Sequence, residues 1–490
     1  MKTYILAIDQ GTTGTTVLIV DHNGIVCGRG YAEITQYYPE PGWVEQDPLE
    51  IWKQTLHAIK EAKDSAGISD TDIAAIGVTN QRETTILIDR ASGEPVGPAI
   101  GWQCRRTTDR CEWLRAQGNA EIIRAKTGLV IDAYFSATKI QWLLENLPGG
   151  IREQAQLGKV LFCNVDAWLI WKLTNGKVHA TDFTNASRTM LFNINALDWD
   201  DDLLQLFEIP RGILPCVYPS INVFGYTESG IPISGVAGDQ SAALFGQACF
   251  QPGMTKVSYG TGAFVLMNTG KKPVKSRHGL LTTLACSIDG RAEYALEGSV
   301  FIAGAAIQWL RDDLGLIKEA KESEQLAMEI EDTGGVYLVP AFAGLGAPHW
   351  DMDARGTLVG LTRGSGKSQI VRAAVESIAY QVTDVLEAIT ADSHLRLAEI
   401  RVDGGAATND FLMQFQADIA GIEVSRPKMF ETTALGAAYL AGLGTGFWKS
   451  REQIESLLKI DKQFTPCIED KRRQVLRRGW ERAVRQAKCH

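Results

Sequence analysis

Three short stretches of the chain carry side chains suited to phosphate and metal chemistry. Asp9-Gln10-Gly11-Thr12-Thr13 sets a carboxylate at the end of the apolar run Ile5 to Ile8, then a glycine and two hydroxyls. Glycine lets the backbone approach an anion, successive N–H groups point at phosphate oxygens, and an Asp can hold Mg²⁺ directly or through water. The same residues also suit a plain hairpin turn with a surface Asp. Gly260-Thr261-Gly262 is a second turn of this kind. One G-T-G is common in hairpins, but two such turns in one chain can clamp a triphosphate from opposite sides. Asp403-Gly404-Gly405 follows the strand-like Glu399 to Val402 and precedes Asn409 at a helix start. It offers a place for a base and ribose.

Other stretches suit a hydroxylated acceptor. Arg82 and Glu83 lie in Thr79-Asn80-Gln81-Arg82-Glu83-Thr84, between two apolar runs. An exposed pair there contributes little, whereas a buried one demands partners for both charges. A polyol supplies them, taking a hydrogen bond from Arg82 and giving one to Glu83. Trp102 in Trp102-Gln103-Cys104-Arg105-Arg106 serves either as an aromatic wall for a carbon chain or as a core residue. Asp239, before the helix-like Ala242-Ala243-Leu244-Phe245, serves either as a helix cap or as the acceptor of a proton from an attacking hydroxyl.

The elements that position these groups are legible from periodicity. Ile5 to Ile8 and Val17 to Val20 read as strands joined to a third, from Ile25, by the turn Asp21-His22-Asn23-Gly24. A helix starts at Asp47 (cap), Pro48 (first turn) and Glu50 (capping box) and stops before Gly67. Strands recur at Ile73 to Val78 and Thr85 to Asp89. Lys256 to Tyr259, the G-T-G turn and Ala263 to Met267 echo the first hairpin, with a boundary near Gln251-Pro252-Gly253. Ile370 to Leu386 gives a helical stripe, and Thr432 to Leu443 reads as a buried helix of small residues. The alternation is α/β. With 490 residues, two domains are expected, 1–250 and 251–490.

Several function classes are excluded. Gly364-Ser365-Gly366-Lys367-Ser368 ends like a P-loop but has Leu361 where the motif needs glycine, and no G-x-G-x-x-G sits at a strand–helix junction. A net charge of −9 argues against a nucleic-acid surface. The basic run from Lys471 to Arg485, interleaved with Val475, Leu476, Trp480 and Val484, suits the solvated face of a last helix. Nine cysteines without C-x-x-C spacing point to buried thiols in a reducing cytosol. No signal peptide and no membrane span are read, so a cytoplasmic protein is expected.

These residues resemble the FGGY family of carbohydrate kinases from Tyr4 to about Trp448. Tyr134-Phe135-Ser136-Ala137-Thr138-Lys139 through Asn146, and Gly356 to Glu376, are similar to its family-wide patterns. Pro41-Gly42-Trp43-Val44-Glu45, Asn80 to Glu83, Trp102 to Arg106 and Asn185 to Met190 are similar to its glycerol-specific members. The resemblance implies two actin-like, ribonuclease H-like domains with the active site in the cleft between them. It further implies transfer of phosphate from ATP, with Mg²⁺, to glycerol, and a homodimer or homotetramer. By the same resemblance Arg82, Glu83, Tyr134, Asp239 and Gln240 bind glycerol, Trp102 and Phe264 sandwich its carbons, and Asp239 is the base. Asp9 holds Mg²⁺ through water. Thr12, Thr13, Gly14 and Thr261 contact phosphates; Gly304, Gln308, Gly405 and Asn409 bind the rest of the nucleotide. Two departures stand out. Thr16 occupies a nucleotide-contacting position where glycerol-specific members often have arginine. Tyr226-Thr227-Glu228-Ser229-Gly230 runs straight into Ile231-Pro232, where some bacterial members insert a basic segment that binds an inhibitory sugar bisphosphate. Such inhibition is expected to be absent.

Overall fold

The computed structural model describes residues 2–488. Two mixed sheets organise it. The first runs, edge to edge, Ile221–Tyr226, Pro232–Gly238, Ile73–Asn80, Tyr4–Gln10, Gly14–Asp21 and Val26–Glu33. Tyr4–Gln10, Ile73–Asn80 and Pro232–Gly238 are mutually parallel, and the last three strands form an antiparallel meander. The sequence explains the placement. Ile5 to Ile8 and Val17 to Val20 are continuous apolar runs buried on both faces, as central strands require. Val26–Glu33 alternates buried and exposed residues, as an edge strand does.

The second sheet runs Leu281–Ala285, Glu293–Val300, Ala263–Gly270, Thr255–Tyr259, Glu399–Asp403, Glu423–Pro427 and Ile460–Phe464. Its Thr255–Tyr259/Ala263–Gly270 hairpin continues antiparallel into Glu293–Val300, while Thr255–Tyr259, Glu399–Asp403 and Glu423–Pro427 are parallel. The plan of the first sheet is thus repeated with one more edge strand, which accounts for the echo between the two glycine-threonine hairpins.

The helix Pro48–Ala66 begins and ends as its signals predict. The Asp47 carboxylate accepts from the Leu49 N–H at 2.8 Å, and Gly67 closes the helix in the left-handed region. The capping box is not made, because Glu50 instead accepts from the backbone N–H and hydroxyl of Thr35, in the loop after Val26–Glu33. The helix Thr432–Thr445 crosses back from the second sheet to lie on Asp239–Gly246 and on the central strands of the first. Its small residues permit contact at backbone distance: a Cβ on Gly77 would strike the Ala437 carbonyl, and one on Gly436 the Ala242 carbonyl. A shared core also joins the halves, with Leu281, Leu284 and Tyr294 packed among residues of the first.

The last helix, Asp470–Lys488, buries Trp480 and Val484 and leaves Val475 exposed. Arg477 is not merely solvated, since it pairs with Asp384 at 2.8 Å and Glu387 at 2.6 Å. Among the described residues, five of eight cysteines are buried and all are free, and no helix is long and apolar enough to cross a membrane.

Candidate active site

The three parallel strands of the first sheet end side by side. Asp9 pairs across the ladder with Thr79 on one side and Thr16 on the other, and Gly238, just before Asp239, pairs with Asn80. Asp9, the Gln81-Arg82-Glu83 stretch and Asp239 therefore share one carboxyl edge, where open α/β sheets take their ligands. Gln81 ties the edge together. Its N–H donates to the Gln10 carbonyl at 2.7 Å, and its amide donates to Gln10 Oε1 at 3.1 Å and Gln46 Oε1 at 2.8 Å. Gln46 in turn donates to the Thr12 carbonyl at 2.8 Å, which anchors the phosphate-type turn.

Arg82 and Glu83 are buried, not an exposed pair. The Arg82 fork donates through both terminal nitrogens to Glu297, each at 2.8 Å, and its Nε lies 3.1 Å from Asp239 Oδ1. Arg188 donates from Nε to Glu83 Oε1 at 2.6 Å and reaches Glu297 at 3.2 and 3.3 Å. Burial works against the Glu297 carboxylate, yet Arg188 and Arg82 overcome it and hold its pKa down at about 2. Glu83 sits at φ +62°, a left-handed conformation costly for a non-glycine residue and the kind of strain that gathers at functional sites. Asp239 is the first residue of the helix Asp239–Gly246, so Gly238, not Asp239, is its cap. Its carboxylate accepts from the Gln240 N–H at 2.7 Å, and its side chain is 31% exposed, open to a ligand. Buried Lys256 donates to Gln240 Oε1 and to Ser258 Oγ, and burial pulls its pKa below the ordinary value.

Trp102 and Tyr134 border this edge. Trp102 is partly exposed, so it is not a core residue, and its indole N–H donates to Thr12 Oγ1 at 3.0 Å. Its ring meets Tyr134 edge-on at 5.5 Å and 70°. Phe264 is partly exposed on Ala263–Gly270, opposite Ser258 and Ser299. Arg106 is stacked between Trp43 at 3.9 Å and Trp142 at 4.6 Å while bound to Glu45 at 2.7 Å. The Pro41-to-Glu45 and Trp102-to-Arg106 segments are one structural unit.

The second sheet presents its own edge. Ser258 pairs with Asp403, so the G-T-G turn and Gly404-Gly405 also end neighbouring parallel strands. Both hairpins are pinched alike, by Gly11 N–H to Gly14 O at 2.9 Å and Gly260 N–H to Gly262 O at 2.8 Å. A cavity of about 490 Å³ opens there, and Thr261, Gly304, Gln308, Gly405 and Asn409 all line it, with Ile307 and Leu412 giving it apolar walls. Asn409 caps the helix Asp410–Ala420, accepting from the Leu412 N–H at 2.9 Å. Thr12, Thr13, Gly14 and Thr16 lie on the other hairpin and do not line this cavity; neither does any of Gly364 to Ser368.

The first edge offers a divalent cation the carboxylate of Asp9 at the end of its strand. Among the described residues no three His, Cys, Asp or Glu side chains form a ready cage. Mg²⁺ commonly uses one or two carboxylates plus substrate phosphates and its own waters. Burial, then the carboxylates of Asp239 and Glu431, push Asp9 up to about 7, marking a place short of positive charge.

Three participants were not foreseen. Glu297 is a lone carboxylate in the buried strand Tyr294-Ala295-Leu296-Glu297-Gly298, and Lys256 a lone ammonium in Thr255–Tyr259; a charge inside an apolar strand was the available signal. Arg188 lay in a segment already noted but had no role. At the expected departure, the strands Ile221–Tyr226 and Pro232–Gly238 are joined by a tight turn, with Gly230 N–H to Thr227 O at 2.9 Å and Ser229 Oγ to Asp70 at 2.6 Å.

Sequence profiles of the FGGY family of carbohydrate kinases match this chain, the N-terminal domain over residues 4–246 and the C-terminal domain over 255–445. The chain is 58% identical to a glycerol kinase of Caldanaerobacter subterraneus subsp. tengcongensis over 99% of both sequences. It is 57% identical to glycerol kinase 2 of Thermotoga maritima over 98% of both. The crystal structure of Plasmodium falciparum glycerol kinase with ADP superposes with a TM-score of 0.94 at 38% identity, covering 99% of this chain and 98% of that one. A gluconate kinase from Lactobacillus acidophilus shares the fold, with a TM-score of 0.88 at 23% identity over 98% and 97% of the two chains. With both halves matched and the two-domain, actin-like α/β architecture in common, the chain belongs to the FGGY family of carbohydrate kinases.

Proposed function

We propose that this chain transfers the γ-phosphoryl group of ATP to glycerol, giving sn-glycerol 3-phosphate and ADP. The observation that carries the reading is the buried Arg82–Glu83 pair beside the open Asp239 carboxylate, bordered by Trp102 and Tyr134. That set suits a short acceptor with adjacent hydroxyls and one hydrocarbon face. The related glycerol kinases of Caldanaerobacter subterraneus and Thermotoga maritima support the same acceptor.

In this reading Arg82 donates to a hydroxyl, the Glu83 oxygen not used by Arg188 accepts from one, and Gln240 donates from its amide. Trp102, Tyr134 and Phe264 cover the carbons. Asp239 accepts the proton of the attacking hydroxyl as that oxygen bonds to Pγ and the bond from Pγ to the ADP oxygen breaks on the opposite side. Thr12, whose Oγ1 already accepts from Trp102, keeps its O–H for a phosphate oxygen. Thr13, Gly14, Thr16 and Thr261 hold phosphates with it; Gly304, Gln308, Gly405 and Asn409 take the rest of the nucleotide. Asp9 would hold Mg²⁺, and the ion would offset phosphate charge. Cleft closure keeps water from competing for the phosphoryl group. Residues 1–250 then form the polyol-binding domain with the first phosphate hairpin, and 251–490 the nucleotide domain. A cytoplasmic homodimer or homotetramer completes the proposal. A coupled assay of ADP release with ATP and Mg²⁺ tests it across glycerol, xylulose, gluconate, ribulose and no acceptor. A glycerol-dependent rate supports the reading; turnover only on another acceptor moves the substrate.

A further inference from the structure

Glu297 comes from the strand Glu293–Val300 of the second sheet, while both of its partners, Arg82 and Arg188, belong to the first half of the chain. It is wholly buried. Each of its oxygens accepts twice, Oε1 from Arg82 and Arg188 at 2.8 and 3.2 Å, Oε2 from the same pair at 2.8 and 3.3 Å. A carboxylate has about four acceptor sites, so none is left for a ligand. Its effect must therefore pass through the arginines. Arg82 Nε is 3.1 Å from Asp239 and 3.9 Å from Glu83 Oε1. Without Glu297 the Arg82 fork would turn onto one of those carboxylates, the groups the acceptor needs.

We propose that Glu297 is a positioning residue for the acceptor site: by holding the terminal nitrogens of Arg82, it keeps the second carboxylate oxygens of Asp239 and Glu83, Oδ2 and Oε2, free for the substrate hydroxyls. The proposal rests on the glycerol reading above. Steady-state kinetics of full-length wild type, Glu297→Gln and Glu297→Asp test it. Glu297→Gln is expected to lower kcat/KM for glycerol about 100-fold, the scale of an ångström of misplacement, with a raised glycerol KM as part of that loss, and to leave the ATP KM within about twofold. Glu297→Asp keeps the charge but falls a methylene short, and the expected loss is about tenfold. A purely structural residue would behave differently, lowering the active fraction, and so kcat, with both KM values unchanged. A folded Glu297→Gln protein with the wild-type glycerol KM overturns the proposal. Should that variant not fold, an unchanged KM in Glu297→Asp overturns it on the same readout. A wild type that ignores glycerol but uses another acceptor overturns the glycerol reading alone, and Glu297 is then tested with that acceptor.

Discussion

Replacing Asp9 by Asn is expected to stabilise the Mg²⁺-free protein at alkaline pH while weakening its activity. Asp9 titrates near its ordinary 3.8 in the unfolded chain and at about 7 in the fold, raised first by burial and then by Asp239 and Glu431. The folded state therefore holds the proton more tightly. The stabilising contribution is complete below about pH 4 and is lost as the pH rises to 7, after which the folded state carries an ionised, poorly compensated carboxylate. At about 1.4 kcal/mol per pH unit the full difference is roughly 4 kcal/mol, and partial solvent access at the cleft reduces it to about 2 kcal/mol. Asn cannot ionise. In EDTA, Asp9→Asn should unfold about 2 °C above wild type at pH 8 if the chain melts as one unit, and about 4 °C above if one half melts alone. At pH 4 the two curves should coincide. Excess Mg²⁺ with ATP should stabilise wild type more than the variant, because only wild type offers the carboxylate. Equal melting temperatures at pH 8 in EDTA, or a variant less stable there than wild type, would refute the assignment of Asp9 as the under-compensated anion.

Arg82→Lys keeps a charge but cannot reproduce the fork, so it gives up one bond to Glu297 and the Nε contact with Asp239. Chemical denaturation should show a loss of roughly 3 kcal/mol, and kcat/KM for glycerol should fall about 100-fold. Asn409→Ala removes the cap on Asp410–Ala420 together with a residue lining the nucleotide cavity. It should cost about 1 kcal/mol of stability and raise the ATP KM with the glycerol KM unchanged. Fructose 1,6-bisphosphate should give no saturable inhibition, since the turn from Thr227 to Gly230 carries Glu228 and no basic residue; a saturable curve in the ADP-release assay would contradict this.

The fold was readable where chemistry is local. Ile5 to Ile8 and Val17 to Val20 declare central strands, Asp47-Pro48 and Gly67 bracket a helix, and Thr432 to Leu443 is too rich in small residues to be a surface helix. What periodicity could not supply is which sheet that last helix serves. Its docking on the first sheet depends on backbone-distance contacts at Gly77 and Gly436, residues far apart in sequence. The site shows the same division. Asp9, Arg82, Glu83 and Asp239 stand at strand ends, where a polar residue after an apolar run is visible. Glu297 and Lys256 lie inside strands, and their meaning depends on partners more than a hundred residues away or on the preceding helix. The capping box at Glu50 failed for a related reason: the loop after the strand Val26–Glu33 offered that carboxylate two donors from Thr35.

The central claim is that a hydroxyl of glycerol is activated by Asp239 and phosphorylated at the shared strand edge. Its most direct test is the glycerol-dependent rate of ADP formation in Asp239→Asn beside wild type, each shown by circular dichroism to be folded. A wild-type rate dependent on glycerol, with kcat lower by about 10²- to 10⁴-fold in the variant, is the predicted result. Glycerol-dependent turnover that survives the substitution undiminished would contradict it.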